Sequence, residues 1–182
     1  MTRWQPVVRS AALLALAFAA AVTVAEPLVI AHRGASGYLP EHTLAAKALA
    51  HGQGADYLEQ DVVLSADDVP IVLHDIHLDD TTDVAERFPG RARPDGHWYA
   101  IDFTLAELRT LAVGERLGRD GSPAFSGRFP ADRRFFQLPT LAEEIAFIDG
   151  LNSSSGRVAG LYIELKGDHF HRREGKDLPA AV

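Results

Sequence analysis

The chain of 182 residues is long enough for one domain with a core, and its apolar share of 47% and charged share of 24% are ordinary for a globular protein. A formal net charge of −7 argues against a general nucleic-acid-binding surface, so an anionic substrate would need a local positive site. With no cysteine, disulfides, zinc thiolates, iron–sulfur clusters and a lipid-modified cysteine are excluded.

Residues 1–25 carry Arg3 and Arg9 and no acid, so their removal takes the balance from −7 to −9. Ala11 to Val24 is an uncharged apolar run, and Thr23-Val24-Ala25 places small residues before Glu26-Pro27. That layout predicts a secretory signal peptide, residues 1–25, cleaved after Ala25. The run is shorter than the roughly 20 apolar residues of a spanning helix, so no stable membrane anchor is expected after cleavage. The expected location is periplasmic or secreted, in a bacterium.

Leu28-Val29-Ile30-Ala31 predicts a short buried strand with His32-Arg33-Gly34 at its C-terminal end. Glu41 to His51 predicts a helix with Leu44, Ala45, Ala48 and Leu49 on one face and Gly52 as its stop. Ala55 to Leu64 predicts a second strand. Only Ser65 to Val69 separate it from the run Pro70 to His74, and a parallel crossover needs about a dozen residues. An antiparallel hairpin is therefore expected, with a turn near Asp67-Asp68 that sets Asp61 across from His74.

From about 78 to 137 the composition turns rich in Arg, Gly, Pro and Asp, which predicts an insertion between core elements. Its one clear helix is Leu105 to Leu111, with Thr104 and Glu107 at capping-box spacing. Thr140 and Glu143 repeat that spacing ahead of a helix to about Ile148, Asn152 to Gly156 reads as a polar loop, and Leu161 to Lys166 as the last strand. The order of elements predicts an α/β architecture. Polar residues collect at the C-terminal ends of strands, where barrel enzymes place their sites, and a complete barrel of that kind takes about 250 residues. The expectation is a barrel truncated after about half its strands, with residues 26–182 forming an incomplete domain.

In a strand, side chains i and i+2 share a face. Glu59 and Asp61 therefore form one pair, and Glu164 and Lys166 another, both in apolar surroundings. Buried carboxylates need a partner, and a hard divalent cation suits Glu59, Asp61 and Glu164 as oxygen-only ligands. His32 and His74, at strand ends, can exchange protons near neutrality. Arg33 and Lys166 can contact phosphate or form salt bridges to Glu59 or Glu164. His42, His51, His169 and His171 are expected to be solvent-exposed, the last two in a loop, and Asp79, Asp80 and Asp83 to form a solvated turn. The absence of a P-loop, G-x-G-x-x-G or G-x-S-x-G leaves nucleotide binding and serine hydrolysis unsupported.

Five blocks, His32-Arg33-Gly34-Ala35-Ser36-Gly37, Pro40-Glu41-His42-Thr43, Glu59-Gln60-Asp61, His74-Asp75 and Glu164-Leu165-Lys166, resemble in order and spacing the glycerophosphodiester phosphodiesterases. The long insertion and Glu174-Gly175-Lys176-Asp177 resemble the exported, periplasmic branch. The resemblance implies a TIM barrel of the phospholipase-C-like phosphodiesterase type with a small insertion. It also implies metal-dependent hydrolysis of deacylated phospholipids to sn-glycerol 3-phosphate and an alcohol. By that likeness His32 and His74 are general acid and base, Glu59, Asp61 and Glu164 hold Ca²⁺ (alternatively Mg²⁺), and Arg33 and Lys166 contact phosphate. His42 stands where the family often has Asn. The family continues well beyond Val182, so the 182-residue chain alone is expected to be unstable and inactive. A homodimer is left open. The rivals are a phosphodiesterase acting on intact or lyso-phospholipids and a non-catalytic surface-binding protein on the same scaffold.

Overall fold

The computed structural model describes residues 26–118 and 120–182. The expected signal peptide, residues 1–25, lies outside the described residues. Of the apolar run before His32 only Ile30–Ala31 form a strand, β1, and Leu28, Val29 and Ile30 are exposed where burial was expected, because β1 pairs along one edge alone among the described residues. The run after Ala55 forms β2 (Tyr57–Leu64), its parallel neighbour. Helix α1 (Leu44–Gly52) makes the crossover between them. It begins later than the predicted Glu41, because the Thr43 side chain takes the N-cap and accepts the Ala46 N–H.

The chain then turns back into β3 (Pro70–Val72), antiparallel to β2, so the expected hairpin is present. Its register differs by one residue from the expectation. Leu64 pairs with Pro70 and Val62 with Val72, and the Leu73 N–H donates to the Asp61 carbonyl at 2.9 Å. Asp61 thus lies across from Leu73, not His74. The turn is the cause: the Ser65 N–H bonds the Val69 carbonyl, and Asp68 adopts left-handed φ of 61°, the three-residue form of hairpin loop. The strand ends at Val72, so His74 is released from the sheet's alternation.

The segment 78–137 contains α2 (Val84–Arg87), a 3-10 turn (Ala100–Asp102) and α3 (Leu105–Leu108). Among the described residues of this segment, β-pairing is limited to isolated bridges. Leu78, Val84, Phe103, Leu108 and Val113 pack on Val63 and Ile71, so the segment shares a core with the hairpin. Helix α3 stops at Leu108, short of the predicted Leu111, and its Thr104–Glu107 capping box is formed.

The second capping box, Thr140–Glu143, opens α4 (Leu141–Ser155). This helix runs well past the predicted end at Ile148. Asn152 to Ser155, expected as a loop, form its last turn, and Gly156 caps it at φ 70°. The polar side chains find partners there: Ser154 and Ser155 donate to the Leu151 carbonyl, and Asn152 bonds both backbone groups of Ala159. Strand β4 (Gly160–Leu165) then lies parallel to β2, with Asp61 beside Glu164. Because Tyr57 and Val62 each pair on both sides, β1 and β3 lie end to end on one edge of β2 and β4 on the other. Short helices α5 (Asp168–Arg173) and α6 (Leu178–Ala181) follow. Among the described residues no helix is long and apolar enough to cross a membrane.

Alternation along β2 sorts its side chains. Leu58 packs with Ala50 of α1 and Ile148 of α4, while Val62 and Leu64 meet Leu141 and Leu178. Full burial of such side chains contributes about 1.5–3 kcal/mol each. Gln60 shares this helix-facing side with a buried ion pair: Lys47 Nζ lies 2.9 Å from Glu144 Oε1, both side chains are fully buried, and Lys47 also donates to the Glu59 carbonyl. The opposite side of β2 carries Glu59, Asp61 and Val63.

Two histidines expected at the surface are structural instead. His51 is buried and bonds Asn152 Oδ1 at 3.1 Å, tying α1 to the end of α4. His171 lies in α5, not a loop, and is buried; its Nε2 accepts the Leu64 N–H at 3.0 Å while Nδ1 donates to the Gly167 carbonyl. It thereby serves the last N–H of β2, past the final β4 pair at Val62 and Leu165. His169 also lies in α5 and not in a loop, and is exposed as expected.

Candidate active site

Glu59 and Asp61 are 3% and 0% exposed on the side of β2 away from the helices. Burial, together with the neighbouring Asp61, pushes the Glu59 carboxyl up to about 7, against the bond from the Arg33 N–H. Asp61 goes the other way. Burial alone would raise it, but His42 and Lys166 hold it well below the usual carboxylate range.

The loop after β1 delivers Arg33. Arg33 and Gly34 both have left-handed backbone, φ 59° and 79°. A Cβ on Gly34 would sit 2.9 Å from the Ala46 carbonyl carbon, so this glycine lets the loop lie against α1. The Arg33 guanidinium bonds both Glu41 oxygens at 3.1–3.2 Å, and its Nε lies 3.7 Å from Asp61 Oδ2. Lys166, after β4, places Nζ 3.2 Å from Asp61 Oδ1 and 2.7 Å from Glu164 Oε1. The Glu164 side chain is half-exposed and reaches this group through Lys166.

His42 departs from the expected exposed position. It is 3% exposed, and its Nε2 lies 2.8 Å from Asp61 Oδ2. Burial pushes the ring down to about 4 despite Asp61, so a neutral imidazole donates from Nε2. Its backbone is left-handed at φ 59°, held by an N–H bond to the Arg33 carbonyl. His tolerates that conformation better than most residues, and its ring N–H can donate to a carboxylate.

His32 is exposed beside this group. Partial burial first, and the Arg33 charge second, hold it below its ordinary pKa, while Asp61 and Glu41 pull it up. His74 Nδ1 lies 2.8 Å from Asp75 Oδ1. Burial would raise Asp75, but His74 and Arg116 outweigh it and keep the carboxylate ionised. Arg116, from the inserted segment, joins both halves: it is 2.6 Å from Asp75 Oδ2 and makes two bonds to Glu41 at 2.7 and 3.0 Å. The same guanidinium reaches Asp80 at 3.0 Å, while Asp79 accepts from Trp98 and Asp83 from the Ala112 N–H. These three aspartates, expected as a solvated turn, instead anchor the insertion.

The site thus gathers Arg33, Glu59, Asp61, Glu164 and Lys166, with His32 and His74 at its margin. His42, Glu41, Asp75 and Arg116 complete the hydrogen-bonding frame. Asp75 and Glu41 adjoin residues singled out from sequence, whereas nothing local marks Arg116. Among the described residues, ligand atoms of His42, Glu59 and Asp61 lie within 4.8 Å of one another, close enough for one metal ion.

The family model described as the glycerophosphoryl diester phosphodiesterase family matches residues 32–180. The chain is 49% identical over 168 residues to a glycerophosphodiester phosphodiesterase of Treponema pallidum, covering 90% of this chain and 47% of that protein. It is 49% identical over 156 residues to one of Haemophilus influenzae, covering 84% and 43%. Among solved structures it resembles an Oleispira antarctica phosphodiesterase in complex with the product sn-glycerol-3-phosphate, at 36% identity and TM-score 0.53, covering 77% of this chain and 44% of that one. The chain spans a little under half the length of these relatives. The solved enzymes it resembles are of TIM-barrel type, and the described residues form a partial α/β fold on a parallel sheet. The matched segment contains every residue of the site, and the chain belongs to the glycerophosphoryl diester phosphodiesterase family.

Proposed function

We propose that the protein carrying this chain hydrolyses glycerophosphodiesters to sn-glycerol 3-phosphate and an alcohol, with a hard divalent cation, Ca²⁺ or alternatively Mg²⁺. The observation that carries this is the convergence of two buried carboxylates, Glu59 and Asp61, with two cations, Arg33 and Lys166, on adjoining parallel strands. The product named for the Oleispira antarctica relative supports the substrate class.

The donor chemistry fits such a cation. Burial, with Asp61 alongside, pushes Glu59 up to about 7, and Asp61 Oδ1 lies buried without a full hydrogen bond. Glu59, Asp61 and Glu164 would hold the ion, which when bound supplies charge stabilisation at a phosphoryl oxygen. Arg33 offers a planar fork and Lys166 a point charge to the remaining oxygens. The bond from His74 Nδ1 to Asp75 leaves Nε2 to exchange a proton, and His32 is the second such group. One ring takes a proton from the attacking oxygen, and the other gives one to the leaving alkoxide.

Glycerol 3-phosphate release from glycerophosphocholine tests the proposal. Chelation should abolish the activity and added Ca²⁺ restore it, and His32→Ala should lower the rate about 10²–10⁴-fold. Full activity in chelator, or in His32→Ala, would overturn it. Export belongs to the same proposal: N-terminal sequencing of protein from periplasm or medium should begin at Glu26.

A further inference from the structure

Beyond Asp75 the chain enters a second polar cluster, which the phosphodiester chemistry leaves unused. His77 and Asp79, on the way out of the hairpin, meet His97 from the inserted segment. One ligand atom from each of the three lies within 4.8 Å of the others. Asp79 Oδ2 is 2.6 Å from His97 Nδ1, and its other oxygen accepts the Trp98 N–H at 3.0 Å. The two imidazoles stack at 4.5 Å between centroids, and Tyr99 closes edge-on over His77 at 4.4 Å.

The unexplained group is His77 Nε2, which is buried and has no hydrogen-bond partner among the described residues. A buried polar atom left without a partner is costly, so a ligand at this nitrogen would be stabilising. His97 is half-exposed, which gives an ion a way in. Asp75 and Asp95 add negative charge around the cluster.

We propose that His77, Asp79 and His97 form a second metal site, for a borderline divalent transition ion such as Zn²⁺. Two imidazoles and one carboxylate suit Zn²⁺, Ni²⁺ or Cu²⁺ rather than Ca²⁺ or Mg²⁺. Three protein ligands leave a fourth position for water. The Trp98 N–H orients the carboxylate from behind, as outer hydrogen bonds commonly do for metal ligands. The ion would clamp the exit of the hairpin to the inserted segment, separately from the group around Asp61.

The test uses tag-free protein carrying this chain, in excess Ca²⁺ so that the carboxylate-rich site is filled. Co²⁺ titration should give a visible absorption band that saturates at a single equivalent and is displaced by Zn²⁺. Zn²⁺ should also raise the melting temperature. Both effects should vanish in His97→Ala, whose half-exposed position leaves folding intact. His77→Gln should weaken Zn²⁺ at least about tenfold. A Co²⁺ band that survives His97→Ala, or a wild type with no Zn²⁺-dependent shift, would overturn the proposal.

Discussion

Asp61→Asn is expected to lower glycerol 3-phosphate release by about 10³-fold, roughly 4 kcal/mol at about 1.4 kcal/mol per decade. The variant keeps shape and volume and removes a charge. Asp61 is the one acceptor approached by His42 at 2.8 Å, Lys166 at 3.2 Å and Arg33 at 3.7 Å. Asn offers one oxygen where two now serve, and its amide repels the very donors the carboxylate gathers. Glu164→Gln provides the contrast, because that side chain is half-exposed and, among the described residues, bonded to Lys166 alone, so a smaller loss is expected. Steady-state kinetics with paired thermal melts would check both. A near wild-type rate for Asp61→Asn in folded protein would remove Asp61 from the centre of the proposed mechanism.

The second large effect is on stability. Lys47→Met should cost about 3–5 kcal/mol, because it strands Glu144 in a fully buried position. Glu144 already feels burial as the strongest influence on its carboxyl, which Lys47 only partly offsets. The Glu59 carbonyl also loses its bond from Lys47. Adding Glu144→Leu should recover most of the loss, since a buried ion pair replaced by apolar groups is often close to neutral. Urea denaturation of the two variants against wild type measures both quantities. A single variant costing under about 1 kcal/mol would mean that water or Gln60 satisfies Glu144 without Lys47.

What could be read from residue order alone divides along a physical line. Both capping boxes, Thr104–Glu107 and Thr140–Glu143, are complete within four positions, and both form. The Glu59–Asp61 pair follows from strand alternation and is buried as that pattern requires. The hairpin is local as well, yet its register slips by one because a left-handed Asp68 adds a residue to the turn. Burial of the histidines was not legible. His51 meets Asn152 across 101 positions, and Leu64 meets His171 across 107, so no window of the sequence contains either bond. His42 was hidden for a different reason: helical periodicity places it on α1, but its left-handed backbone sets it outside the helix and aims it at Asp61.

Arg116 has a consequence for how this segment could be exchanged among related chains. One guanidinium in the insertion holds Glu41, which steadies Arg33, and Asp75, which steadies His74. The insertion is therefore not a detachable module. A loop transplanted from another chain would fit the surface and still leave two carboxylates without their shared counter-charge. Successful grafts must carry an arginine at this position or revise Glu41 and Asp75 together, so these three positions should change in concert, if at all.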